Sequence, residues 1–211
     1  MDIFDLRQNY HRSELHRDAM HADPMTQFEQ WFREASACKE IVEPNAMTLS
    51  TSSENHVRAR IVLLKEFNPS GFQFFTNYES RKGHDLSENP HAALSFFWGP
   101  LERQVLISGE VEKLSHALSE AYFHSRPRES QLGAWTSHQS TVIENREVLK
   151  KRYAELEDQY KDQIIPLPPY WGGFLVRPYQ IEFWQGRQSR LHDRFSYTLE
   201  NGEWKLERLS P

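Results

Sequence analysis

Near the C-terminus, Arg190-Leu191-His192-Asp193-Arg194-Phe195-Ser196-Tyr197 sets two arginines and a histidine two residues apart. On a strand, that spacing sends Arg190, His192, Arg194 and Ser196 to one face and Leu191, Phe195 and Tyr197 to the other. Like charges along one face repel, so the pattern suits a neutralising partner, a phosphate or a carboxylate. A solvated strand face is the plainer alternative. Three more cationic groupings lie upstream. Arg60 and Lys65 bracket Ile61-Val62-Leu63-Leu64. Five residues apart, they fall on opposite faces of a regular strand, so a bulge or strand end is needed for both to reach one ligand pair; composition alone reads the run as a buried strand. Ser80-Arg81-Lys82 opens an expected helix, where free N–H groups and the helix dipole already favour an anion. In Tyr122-Phe123-His124-Ser125-Arg126-Pro127-Arg128-Glu129-Ser130, Tyr122 and Arg126 share a helix face, and Pro127 turns Arg126 toward extended backbone where the helix breaks. Tyr, Arg and Ser can converge there on one phosphate, although an Arg beside the last carbonyls is equally a helix-end device.

Periodicity and turn chemistry define the elements that must hold these groups. Residues 1–22 are polar, rich in His and Arg, and lack apolar periodicity, which reads as a mobile arm. Asp23-Pro24 reads as N-cap and first helical residue, followed by Met25, Phe28, Trp31, Phe32 and Ala35 at helical spacing. Strands are expected over 46–52, 57–65, 71–77, 91–98 and 101–114, with Asn68-Pro69-Ser70-Gly71 and Gly99-Pro100 as turns. Ser80 caps a short helix that stops before Asn89-Pro90, and Ser115 caps another over 117–125. Leu149, Tyr153, Leu156 and Tyr160 mark a helix over 144–161. Strands return over 173–176, 180–185, 190–198 and 203–209, the last two joined by Asn201-Gly202. The expectation is a mostly β chain with one helical block: an antiparallel barrel flanked by helices, one domain over 23–211 preceded by the arm.

At 211 residues the chain is long enough to fold around its own core, and six Trp, eight Tyr and thirteen Phe supply flat surfaces for a planar ligand. The formal net charge of −5 argues against nucleic acid as the main partner. Cys38 is the single cysteine, so no intrachain disulfide forms and a thiolate metal site is excluded; no metal is called for. No stretch has the roughly 20 apolar residues of a membrane span or the pattern of a signal peptide, which leads to the expectation of a soluble, cytoplasmic protein. Neither a G-x-G-x-x-G nor a G-x-x-x-x-G-K-[ST] motif occurs, so any phosphate must be held by side chains.

The segment Ile181-Glu182-Phe183-Trp184-Gln185 followed, four residues on, by Arg190-Leu191-His192-Asp193-Arg194 resembles the signature of the pyridoxamine 5′-phosphate oxidases, and Tyr122 to Ser130 resembles that family's Y-F-x-S-R-P-R-x-S element. The correspondence extends from Arg7 and Tyr10, which match a lid segment, to Pro211. The resemblance implies a split-barrel FMN-binding fold working as a homodimer with FMN at the subunit interface. It implies an FMN-dependent oxidase that converts pyridoxine 5′-phosphate and pyridoxamine 5′-phosphate to pyridoxal 5′-phosphate while O2 becomes H2O2. It assigns FMN contacts to Arg60, Ile61, Val62, Leu63, Leu64, Lys65, Phe75, Thr76, Arg81, Lys82, Gln104, Gln139, Ser140, Trp184 and Arg194. Substrate contacts fall to Arg7, Tyr10, Lys65, Tyr122, Arg126, Ser130, Arg190, Leu191 and His192, with Arg190 and His192 as the catalytic pair; which of the two moves a proton is left open. Phe75 stands where some relatives have Tyr, so no hydroxyl contact is carried over. Two other readings are a split-barrel protein that binds flavin, haem or pyridoxal phosphate without turnover, and a split-barrel flavin or deazaflavin reductase acting on another substrate. The first does not account for Arg190 and His192, and the second has no need of Tyr122, Arg126 and Ser130.

Overall fold

A computed structural model of the chain describes residues 3, 4 and 9–211. Among them, nine strands form one antiparallel sheet: β1 (Ala46–Ser53), β2 (His56–Leu63), β3 (Glu66–Asn68), β4 (Gly71–Asn77), β5 (His91–Trp98), β6 (Arg103–Lys113), β7 (Trp171–Gln185), β8 (Asp193–Glu200) and β9 (Glu203–Leu209). The helices are α1 (Pro24–Ala37), α2 (Arg81–Glu88), α3 (His116–Ser125), α4 (Arg128–Thr136) and α5 (Arg146–Gln159). The strand order β2-β1-β5-β6-β7-β4-β3 leaves the sheet open, and β8 and β9 continue from β7. The split is visible in β7. One edge pairs with β6 from Phe174 to Gln185, while the other pairs first with β4 (Phe72↔Val176 to Asn77↔Trp171) and then with β8 (Gln180↔Thr198 to Gln185↔Asp193).

The expected strands 173–176 and 180–185 are therefore one element. Pro178 lacks an N–H, and β7 bulges beside it: Tyr179 is the extra residue, with Gln180 and Pro178 opposite Ser108 and Gly109. Gly109 is required at that bulge, because a Cβ there would sit 2.4 Å from the Arg177 carbonyl oxygen. The expected strand 57–65 is, conversely, shorter. It ends at Leu63; the Leu64 N–H then donates to the Asn45 carbonyl at 2.8 Å and that of Lys65 to the Gln73 carbonyl at 2.9 Å before β3 begins.

The helix starts follow their caps. Asp23 accepts from the Thr26 N–H with Pro24 at the first turn, Ser80 from Gly83, and Ser115 from Leu118. Helix α1 buries Met25, Phe28, Trp31 and Ala35 against the sheet. Phe28 meets the rings of Phe67, Phe72 and Phe96 at 5.0, 4.9 and 5.3 Å, a burial that stabilises by roughly 1.5–3 kcal/mol. A smaller core of Phe123, Leu132, Ile165 and Trp171 seats α3 and α4 beside β4 and β7.

The N-terminal segment, expected to be a mobile arm, is docked where it is described. Leu15 is buried and its N–H donates to Asp193 Oδ2 at 3.0 Å, Arg17 Nη1 donates to the Leu206 carbonyl at 3.0 Å, and the Tyr197 hydroxyl donates to the His21 carbonyl at 2.5 Å. Arg7 lies outside the described residues. Among those residues, no helix is long and apolar enough to cross a membrane.

A candidate anion cleft and a second cluster across the sheet

A cleft of about 610 Å³ opens between the end of β2, β4, the start of α2 and the α3–α4 corner. Its described lining holds three cations, Lys65, Lys82 and Arg126, and no carboxylate. In a chain with a net charge of −5, this is a local reversal of sign. Lys82 is buried, and its Nζ donates to Gln139 Oε1 at 2.6 Å and to the Thr76 and Ser80 hydroxyls at 3.0 Å each. All three acceptors are neutral. Burial, reinforced by the Arg60 charge and opposed by Asp85, brings the Lys82 pKa down to about 8.

Arg126 sits at the extended end of α3, with φ −76° and ψ 150° ahead of Pro127, and its guanidinium lies 4.7 Å from the Trp171 ring centroid. Its Nη1 is buried with no hydrogen-bond partner among the described residues, and burial lowers its pKa despite the nearby Tyr122. A buried charged donor without an acceptor is costly, so this atom is poised for an anion. Phe75, Tyr122 and Trp171 form a wall of near-parallel rings, Phe75 and Tyr122 stacking at 3.8 Å. Ser130 lies on the same lining, as do Ile61, Val62 and Leu63. With β2 ending at Leu63, Lys65 lines the cleft while Arg60 does not, so the two cations that bracket this run do not both face it.

Not every upstream residue assigned by resemblance lines this space. Leu64 faces the core at 4% exposure, and both its backbone groups are taken, the N–H by the Asn45 carbonyl and the carbonyl by Asn45 Nδ2. Arg81 and Ser140 line an adjoining hollow of about 330 Å³ that shares Gln139 with the cleft, and the Arg81 N–H donates to Ser140 Oγ at 3.3 Å. Arg60 stands behind Lys82. Its Nη1 donates to Thr51 Oγ1 at 2.7 Å and the Leu49 carbonyl at 3.2 Å, and its Nη2 lies 3.6 Å from Asp85.

The remaining assigned residues gather elsewhere. Gln104, Trp184 and Arg194 are register partners across β6, β7 and β8. Arg194 makes a two-pronged ion pair with Glu182 at 2.8 and 3.0 Å and donates to the Ser210 carbonyl at 2.9 Å. Tyr10, Trp184 and His192 form an aromatic cluster, with Trp184 and His192 4.6 Å apart and Tyr10 within 6 Å of both. None of these residues, nor Arg190 or Leu191, lines the cleft of the same chain.

The strand expected over 190–198 begins only at Asp193. Arg190 ends a 3₁₀ turn with left-handed φ of 61°, and Leu191 is 69% exposed rather than facing the core. Arg190 and His192 therefore do not share a strand face with Arg194. The cause is Asp193, whose buried carboxylate receives the Leu15 N–H and Arg208 and stands 3.6 Å from Arg187, so the chain bends to meet it. Only Phe195 and Tyr197, both fully buried, follow the expected alternation inward. The Arg187 N–H donates to His192 Nδ1 at 3.1 Å, so the neutral ring carries its proton on Nε2. Burial, with the Arg190 charge adding and Asp193 opposing, lowers the His192 pKa.

Two residues of consequence carried no sequence signal. Asn77 lines the cleft with a buried Nδ2 that has no partner among the described residues while its Oδ1 accepts the Glu79 N–H, and Asp85 is the buried counter-charge behind Lys82.

Comparison with known proteins agrees along the whole chain. Residues 34–160 match the model of the family described as pyridoxamine 5′-phosphate oxidase, and residues 171–211 match the pyridoxine 5′-phosphate oxidase C-terminal dimerisation region. Proteins named pyridoxine/pyridoxamine 5′-phosphate oxidase from Acaryochloris marina and Salinibacter ruber are each 54% identical, covering 99% of this chain and 95% and 99% of their own lengths. A structure of PhzG from Burkholderia lata in complex with tetrahydrophenazine-1-carboxylic acid superposes with a TM-score of 0.87 at 28% identity, covering 93% of this chain and 98% of that one. A pyridoxamine 5′-phosphate oxidase-related, FMN-binding protein from Nostoc punctiforme, 16% identical over 91% of this chain and 100% of its own, shares the fold with a TM-score of 0.72. With a family model over more than half of its length and relatives of matching length at 54% identity, the chain belongs to the pyridoxamine 5′-phosphate oxidase family.

Proposed function

We propose that this chain is an FMN-dependent oxidase that converts pyridoxine 5′-phosphate and pyridoxamine 5′-phosphate to pyridoxal 5′-phosphate. The observation that carries this reading is the cleft, acid-free among the described residues, in which Lys65, Lys82 and an Arg126 Nη1 with no described partner stand beside a wall of parallel rings. Planar, phosphorylated molecules are what such a surface recognises. The residues fit FMN: Lys82, Thr76, Gln139, Arg81 and Ser140 surround the α2 start, where its phosphate would be held, with Arg60 behind them. When bound, FMN supplies the hydride acceptor, and O2 carries the electrons away as H2O2.

The chain's own part is orientation. Lys65, Tyr122, Arg126 and Ser130 would grip the substrate 5′-phosphate and hold the pyridine ring in reacting geometry. His192 presents Nε2–H as a donor, and Arg190 adds positive charge close by. Because these two, with Gln104, Trp184 and Arg194, do not line the cleft of their own chain, a second copy would bring them to it. Of the five, all but Gln104 fall in the segment that matches a dimerisation region.

The test is spectroscopic. The purified protein should be yellow and should bleach when pyridoxine 5′-phosphate is added without oxygen, while unphosphorylated pyridoxine bleaches it far more slowly. Arg126→Ala should keep its colour yet raise KM for the phosphorylated substrate by about 10- to 100-fold. A yellow protein that never bleaches would be a binding module. Equal efficiency with and without the phosphate would remove the clamp.

A further inference from the structure

Asp85 is 2% exposed and lies on α2, three residues beyond Lys82. Its carboxylate receives Thr51 Oγ1 at 2.6 Å, Ser53 Oγ at 2.9 Å and Arg58 Nη1 at 2.9 Å, and faces Arg60 Nη2 at 3.6 Å. Thr51 is a relay. Its hydroxyl accepts from Arg60 Nη1 at 2.7 Å and donates its single proton to Asp85, so the two ionic groups are joined through one oxygen as well as directly. Three elements thus meet on one buried carboxylate: β1 through Thr51 and Ser53, β2 through Arg58 and Arg60, and α2 through Asp85 itself. Burial alone would raise the Asp85 pKa, but the two hydroxyl donors and the two guanidinium groups outweigh it and lower it. The carboxylate is ionised when the cleft is formed.

We propose that Asp85 is a positioning residue for the phosphate end of the cofactor. It fixes Arg60 behind Lys82 and ties the first turn of α2, with Arg81 and Lys82, to the β1–β2 hairpin. The inference rests on the reading of this cleft as the FMN site and goes beyond it by naming the group that sets the geometry of its cations.

The sign of one measurement separates this role from simple electrostatics. Removing a negative charge near a phosphate site should tighten anion binding if Coulomb attraction alone mattered. If Asp85 orders the cations, the same change loosens it. Fluorescence quenching on the apoprotein gives Kd for FMN and for riboflavin, which lacks the phosphate. Asp85→Asn should weaken FMN about tenfold or more and leave riboflavin nearly unchanged. Thr51→Val keeps every charge but removes the relay, and should lower the FMN preference in the same direction by a smaller factor. If Asp85→Asn fails to fold, Thr51→Val decides by the same comparison.

Unchanged or tighter FMN binding would overturn the proposal, as would an equal loss for both flavins, since that marks a role only in general stability. A wild type that binds both flavins equally would overturn the cofactor reading and this proposal together. Retention of the wild-type preference in the variants would overturn this proposal alone.

Discussion

Lys82 shows how a residue's chemistry depends on what it lacks. Its three partners are neutral oxygens, and the carboxylate that acts on it, Asp85, is already engaged by three hydrogen-bond donors and faces Arg60 at 3.6 Å, so the ammonium is under-compensated with a pKa of about 8. A bound phosphate would favour the charged form and raise that pKa. Affinity for FMN should therefore be level below about pH 8 and fall as pH rises from there toward the pKa in the complex, by up to about tenfold per pH unit. Titrations from about pH 7 to about pH 9.5 would show this slope for FMN and not for riboflavin, and Lys82→Met should abolish it along with much of the affinity. A flat wild-type profile would mean that Lys82 is not the phosphate's partner. At this scale Lys82 and Arg126 were legible in the sequence because Ser80-Arg81-Lys82 and Arg126-Pro127 combine charge with a local backbone instruction. Asp85 and Asn77 were not, since a lone acid in a short helix and an Asn at a strand end acquire meaning only from partners distant in sequence, Thr51, Ser53 and Arg58 in the case of Asp85.

Elements were legible where a local rule was sufficient. Asp23-Pro24, Ser80 and Ser115 each start the helix they announce, because capping is settled within one turn. Helix α4 was missed: its N-cap is Pro127, with no side-chain cap, and it buries only Leu132 and Thr136. Period-two reading ran β8 back to Arg190 because it cannot see Asp193 drawing Leu15, Arg187 and Arg208 toward itself from three other segments. That carboxylate sets both where β8 starts and how the N-terminal segment docks. Asp193→Ala should lower stability by about 1–3 kcal/mol, a range reduced because Arg208 is half exposed. It should also speed proteolysis before residue 15 more than elsewhere. Thermal melts with timed digestion measure both, and digestion spread evenly over the chain would show that Asp193 does not hold the segment in particular.

At the scale of the whole molecule, two separate clusters of candidate site residues on one chain are the feature that one sequence pass could not resolve. The cleft draws on β2, β4, α2 and the α3–α4 corner, while Gln104, Trp184, His192 and Arg194 sit on β6, β7, β8 and the bend before β8. Strand pairing fixes each group internally, but nothing in a linear pattern says whether two groups meet within a chain or between chains. If they meet between chains, a subunit with a damaged cleft and one with a damaged sheet cluster should rescue each other. Arg126→Ala and Arg194→Ala, each inactive with pyridoxine 5′-phosphate at low concentration, would be co-expressed with different affinity tags, and the mixed dimers purified through both. One of the two sites in such a dimer would combine an intact cleft with an intact cluster, so about half of the wild-type turnover per dimer should return, with about half of the FMN bound. If each site were built within a single chain, every site in the mixed dimer would keep one defect and nothing would return. The comparison needs no assumption about how strongly either residue contributes, because it depends only on which chain each residue comes from.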